Sequence, residues 1–269
     1  MINLVVFSKD RGCQLDLFLI SLKRMFSGIS PGNIHVLYTF SNEAFGSGYV
    51  KTIMLHPDVH FAFENKGCFK SDMLKLISMK KEFTIFFVDD IILKDKFDIG
   101  SPEVHHFLIN EDIACLSLRL YPGINYCYTM NIPMTPPNFI GDKMIWDWHK
   151  ACPGDWSYPM SLDGHLFRTK DIYSKLVQIE YSNPNTFEGN LANSPLPAPY
   201  MMCFTESKLL NIPANKVQDV NGNRHGNLTA YDINEQYIYG KRLSFDKLLK
   251  NKDVINNISC HQDIPLEWE

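Results

Sequence analysis

The stretch Glu82-Phe83-Thr84-Ile85-Phe86-Phe87-Val88-Asp89-Asp90-Ile91 constrains the fold more than any other part of the chain. Residues 83–88 are all apolar or β-branched and run straight into two adjacent carboxylates. A short continuous run of this kind reads as a strand buried on both faces, as in the middle of a parallel sheet. Acids at the carboxyl end of such a strand lie where open α/β sheets bind their ligands. Mg²⁺ is commonly held by one or two carboxylates plus substrate phosphates, so the pair suits a metal-diphosphate site. The competing reading is that acids end strands because they suit turns.

The segments before this strand support a parallel sheet. Residues 3–7 read as a first strand, followed by the polar turn Ser8-Lys9-Asp10-Arg11-Gly12. Leu15, Phe18, Leu19, Leu22 and Met25 then recur at spacings of three and four, the period of one helix face, with Ser8 or Asp10 as its expected cap. Residues 34–39 and 60–63 read as further strands, and 49–54 and 69–79 as helices. Alternation of strand and helix over ninety residues implies a mostly parallel sheet with right-handed crossovers. No GxGxxG follows the first strand and no GxxxxGK[ST] occurs, which removes the usual dinucleotide and P-loop signals.

Beyond Asp90 the pattern loosens. Residues 104–109 read as a helix and 113–120 as a strand, while 121–156 is rich in Pro, Gly, Asn and aromatics and reads as loops over a pocket. Asp163-Gly164 between apolar residues is a hairpin signal. A helix is expected over 171–179, another starting near Asn185 with Glu188 three residues on, and two more over 231–239 and 245–249. With 269 residues and no long linker, one domain is expected.

Composition narrows the partners. A formal net charge of −4 leaves no electrostatic footprint for nucleic acid. Seven scattered cysteines show no zinc-ligand spacing and suggest reduced thiols in a cytoplasmic protein. The opening Met-Ile-Asn-Leu-Val-Val-Phe reads as a strand and not a signal peptide, and no stretch is long and apolar enough for a transmembrane segment. Peripheral attachment at a membrane surface remains compatible with these features.

Several motifs, taken in order, resemble those of nucleotide-sugar glycosyltransferases of the GT-A fold. They are Ser8-Lys9-Asp10-Arg11, Phe69-Lys70-Ser71-Asp72, Phe87-Val88-Asp89-Asp90, Ser161-Leu162-Asp163-Gly164-His165 and Asn183-Pro184-Asn185-Thr186-Phe187-Glu188. The resemblance covers most of residues 1–190 and implies an α/β, Rossmann-like fold with a nucleotide-sugar donor, its single domain made of a nucleotide-binding half over 1–95 and an acceptor-side half, with a C-terminal lid or helices, over 96–269. The acidic motif departs from Asp-x-Asp, because Val88 occupies the first acidic position. The resemblance then implies that Asp90 ligates Mn²⁺ or Mg²⁺, and that Asp89 contacts the ribose or a metal-bound water. It also points to a histidine late in the chain as a metal ligand. His225, in the Gly- and Asn-rich stretch 221–227, is the first candidate, with that stretch as a lid, and His261 is its rival.

The chemistry asks for the same residue types. A glycosyl-diphosphate bond breaks with negative charge growing on the leaving group, which a divalent cation stabilises as a Lewis acid. Lys9, Arg11 and Lys70 are candidate phosphate donors, with solvated surface charge as the alternative for each. An inverting transfer needs a base for the acceptor hydroxyl, and Asp163 and Glu188 are the candidates. Asp163 could instead serve only its turn, and Glu188 only a capping box with Asn185. Trp146, Trp148, Trp156 and Tyr158 are candidates for stacking on a sugar or for the core. The acceptor, whether glycan, lipid-linked or small molecule, is not legible. Two other functions fit the acidic strand end: a metal-dependent phosphohydrolase or nucleotidyltransferase, and a non-catalytic nucleotide-sugar binding module.

Overall fold

The computed structural model describes residues 2–215, 228–250 and 258–269. Its centre is an eight-stranded sheet. In chain order the strands are β1 (Ile2–Lys9), β2 (Ile34–Thr39), β3 (His60–Phe63), β4 (Phe83–Val88), β5 (Ile113–Ser117), β6 (Ile145–Asp147), β7 (His165–Arg168) and β8 (Tyr200–Cys203). Across the sheet they run β6-β8-β5-β7-β4-β1-β2-β3. The pairs β1–β2, β1–β4, β2–β3 and β5–β8 are parallel, whereas both partners of β7 and the β6–β8 edge are antiparallel. This is a mostly parallel α/β sheet, as the alternation of the first ninety residues implies.

The acidic strand β4 sits inside it, between β1 and β7. Its side chains alternate between two cores. Phe86 packs on one face with Phe7, Phe167 and Phe187, while Ile85 and Phe87 join Leu4, Val6 and Phe18 on the other. Burial on both faces explains the unbroken apolar run. On the second face, helix α1 (Gly12–Met25) crosses α2 (Glu43–Leu55) so closely that a Cβ on Gly12 would sit 2.8 Å from the Gly48 backbone. Helices α3 (Phe69–Lys75), α4 (Pro102–Ile109), α5 (Thr169–Gln178) and α6 (Pro184–Asn193) complete the layers, with α7 (Ala230–Ile238) and α8 (Phe245–Lys250) following.

Three local expectations are corrected, and one open alternative is decided. The Asp163-Gly164 turn closes no hairpin; it feeds β7 into the middle of the sheet, antiparallel to β4 and β5. Helix α6 is capped by Asn183 with Thr186 in a reciprocal capping box, not by Asn185 with Glu188. Neither Ser8 nor Asp10 caps α1; Asp10, at φ 56°, accepts the backbone N–H of Ser41 at 2.6 Å instead. Trp146 and Trp156 are wholly buried and meet edge to face at 5.0 Å, so they build the core. Among the described residues, no helix is long and apolar enough to cross a membrane.

Candidate active site

A cleft of about 880 Å³ opens over the carboxyl ends of β1 and β4, and residues from both halves of the chain line it. On the β1–β4 side are Ser8, Lys9, Arg11, Asp89 and Asp90; facing them are Asp163, Glu188, Asn211 and His261. Apart from Asn211, each of these is a candidate from the sequence; Lys70, also a candidate, does not line the cleft. Its ammonium donates to the Ile179 carbonyl at 2.7 Å and to Glu180 Oε1 at 2.9 Å, tying α3 to the end of α5. Lys70→Ala is therefore expected to lower stability by about 1 kcal/mol, the worth of such hydrogen bonds. Thermal melts of the variant check it. His225 and the stretch 221–227 lie outside the described residues.

The two strand-end acids are held differently. Asp89 is 4% exposed, and its Oδ2 accepts the Ser8 hydroxyl at 2.8 Å and the Lys9 backbone N–H at 3.2 Å. Tyr49 in turn bonds Ser8 Oγ at 2.7 Å. Burial pushes the Asp89 carboxyl up to about 6; Arg11 opposes that shift and Asp90 adds to it. Arg11 lies between the acids, donating from Nη1 to Asp89 Oδ1 at 2.9 Å and to Asp90 Oδ2 at 3.2 Å. Its Nε donates to Asn215 Oδ1 at 2.8 Å. Burial works against the Arg11 charge, but Asp89 and Asp90 outweigh it and hold the guanidinium protonated.

Asn211 joins this acidic pair to the opposite wall. The short strands Ile91–Leu93 and Leu209–Asn211 pair antiparallel, with Asn211 opposite Ile91, and Asn211 also bridges to His261. Its amide donates to Asp90 Oδ1 at 3.2 Å and lies close enough to Asp163 to favour that carboxylate's ionised form. The same pairing brings His261 to the cleft, where it stacks on Tyr128 at 5.9 Å and lies 3.8 Å from Asp163 Oδ2. Burial, with Arg119 nearby, lowers the His261 imidazole to about 4, so it is neutral near pH 7.

Asp163 leads directly into Gly164, whose φ of 74° and position against Leu209 leave no room for a Cβ. Its Oδ2 accepts Arg119 Nη1 at 2.9 Å. Burial raises the Asp163 carboxyl, and Arg119 and Asn211 oppose that rise. Glu188, freed from capping, sits in the second turn of α6, and its Oε1 accepts the Leu162 backbone N–H at 3.0 Å. Burial and the neighbouring Asp163 push it up to about 7.

That shift has a sign in stability. The unfolded chain ionises Glu188 near the ordinary value of 4.5, whereas the folded protein keeps its proton up to about 7. Folded protein thus binds the extra proton, and stability is lost as pH rises through that window. Glu188→Gln is expected to gain in Tm relative to the parent as pH rises from about 5 to about 8; parallel melts across that range check it.

Sequence reasoning missed Arg119, Asn211, Asn215 and Tyr49. Only Arg119 carries a local signal, a charge inside the apolar run 113–120.

No protein-family profile matches the chain. A bifunctional glycosyltransferase, pgtA of Dictyostelium discoideum, is 28% identical over 299 aligned residues. The alignment takes in 97% of this chain and 38% of that protein. That relative is a glycosyltransferase. The chain thus spans well under half the length of the curated relative it matches. Among solved structures, Staphylococcus aureus TarS superposes with a TM-score of 0.45 at 12% identity, over 77% of this chain and 36% of that one. A mannosyltransferase from Pyrobaculum calidifontis, PcManGT, solved with GDP-Man and Mn²⁺, gives 0.36 at 10% identity, over 65% and 46%.

Proposed function

We propose that the protein is a glycosyltransferase that moves a sugar from a nucleotide-diphosphate donor to an acceptor hydroxyl. The observation that carries this reading is one cleft in which a strand-end acidic pair faces a second, half-buried pair of carboxylates, Asp163 and Glu188. A curated glycosyltransferase relative over nearly the whole chain supports it.

In this reading the β1–β4 side receives the donor. Arg11 and Lys9 lie at the carboxyl end of β1, and Lys66 joins them at the cleft wall. An arginine fork and two ammonium groups there offset the charge of a diphosphate. Among the described residues no three His, Cys, Asp or Glu side chains converge as a complete metal cage. The donor set suits a divalent ion that takes most of its oxygens from the substrate. Asp90 and His261 would hold Mn²⁺ or Mg²⁺, with phosphate oxygens and water completing the shell. His261 fits that part because its buried Nδ1 has no partner among the described residues and its ring is neutral. The ion would stabilise charge on the departing diphosphate. Asp89 holds Ser8, Lys9 and Arg11 in place through its own hydrogen bonds.

Asp163 is the base in this reading. It lies beside Arg119, which favours its ionised form, while Glu188 keeps its proton to about 7. In an inverting displacement the acceptor oxygen attacks the anomeric carbon, its proton passes to Asp163, and the bond to the diphosphate breaks with the electron pair leaving on phosphate. Titration with a panel of UDP-, GDP- and ADP-linked sugars, with and without Mn²⁺, tests the whole. Release of the free nucleotide is expected for at least one donor; binding of donors with no release under any condition would make the protein a binding module instead.

A further inference from the structure

Arg119 stands just past the carboxyl end of β5, and its side chain is 4% exposed. The guanidinium is a fork between two carboxylates. Nη2 donates to Asp155 and Nη1 donates to Asp163 Oδ2 at 2.9 Å. Asp155, 5% exposed, belongs to the short turn Asp155–Ser157 beneath the cleft and is not among the cleft-lining residues. Arg119 Nε and Asp155 Oδ2 are buried without partners among the described residues. A buried ion pair left incompletely satisfied is a poor device for stability alone, because its desolvation offsets much of its attraction. Among the described residues, its side-chain hydrogen bond into the cleft lining goes to Asp163.

We propose that Arg119 is a positioning residue for the transfer: anchored by Asp155, it fixes one oxygen of Asp163 so that the carboxylate keeps one orientation toward the acceptor hydroxyl. This rests on the reading of Asp163 as the base. Charge alone would not do it. A lysine keeps the positive charge but loses the planar fork that engages both acids at once. Orientation matters because a small misplacement of a catalytic group costs on the order of a hundredfold in rate.

A double-mutant cycle separates the possibilities, with the rate of nucleotide release from the best donor of a UDP-, GDP- and ADP-sugar panel as the readout. Arg119→Lys is expected to lower kcat at least about tenfold with donor KM within about twofold, and to change the residual rate of Asp163→Asn less than about twofold. Asp155→Asn, which keeps an acceptor oxygen for Arg119, is expected to lower kcat less than Arg119→Lys and to show the same dependence on Asp163. Equal factors in the parent and in Asp163→Asn, or a donor KM that rises in step, would overturn the positioning role and leave Asp163 as the base. A full rate in Asp163→Asn, or no release from any donor, would overturn the reading beneath it.

Discussion

Asp163→Asn is expected to lower turnover at least about a hundredfold, the usual scale for loss of a general base, with donor affinity retained. Asparagine preserves the shape and still offers Arg119 an oxygen, so the 2.9 Å contact survives while the proton acceptor is lost. Glu188→Gln is the matched control. It mimics the protonated form that Glu188 holds up to about 7, so it should cost far less than Asp163→Asn at neutral pH. Measuring kcat and donor KM for both variants decides the assignment. A larger loss in Glu188→Gln would exchange their roles, and equal losses in donor binding would place Asp163 on the nucleotide side.

Asp90→Asn is expected to abolish both turnover and Mn²⁺-dependent nucleotide binding, while changing stability by no more than about 1 kcal/mol. The small stability cost follows from its contacts. Asp90 meets Arg11 and Asn211 at 3.2 Å each, and Asp89 keeps the closer bond to Arg11 when Asp90 is neutral. Calorimetry of a nucleoside diphosphate with and without Mn²⁺ reads the binding part independently of any acceptor. Unchanged metal dependence in this variant would sink the proposal that Asp90 holds the ion. The same titration on His261→Ala is expected to show weakened Mn²⁺ dependence, and nucleotide binding in the absence of metal should persist.

How far the site was readable depended on the range of the interaction that builds each part. The acidic strand, the turn after β1 and the motifs around Asp163 and Glu188 carry local signals, and the structure brings Asp89, Asp90, Asp163 and Glu188 to one cleft. Lys70 shows the opposite case. It lies beside Phe69, which lines the cleft, yet one residue along a helix turns the side chain to another face, where α5 and Glu180 take it. Glu188 was legible as an acid near a helix start, but its role turned on a two-residue shift of the cap to Asn183. The Asp163-Gly164 turn looked like a hairpin because strand pairing is not visible in the sequence around a turn. Its strand instead finds partners roughly fifty and eighty residues upstream, β5 and β4.

By itself, then, the sequence determined the alternation of the first ninety residues, the burial of β4 on both faces and the acids at its end. Each follows from side-chain periodicity, which acts between neighbours a few residues apart. The tertiary structure alone decided which polar groups meet. Arg11 reaches Asn215 across 204 residues, Asn211 reaches Asp90 across 121, and Arg119 reaches Asp163 across 44. Such pairs leave no periodic trace, because a buried charge needs a partner in space and is indifferent to where in the chain that partner lies.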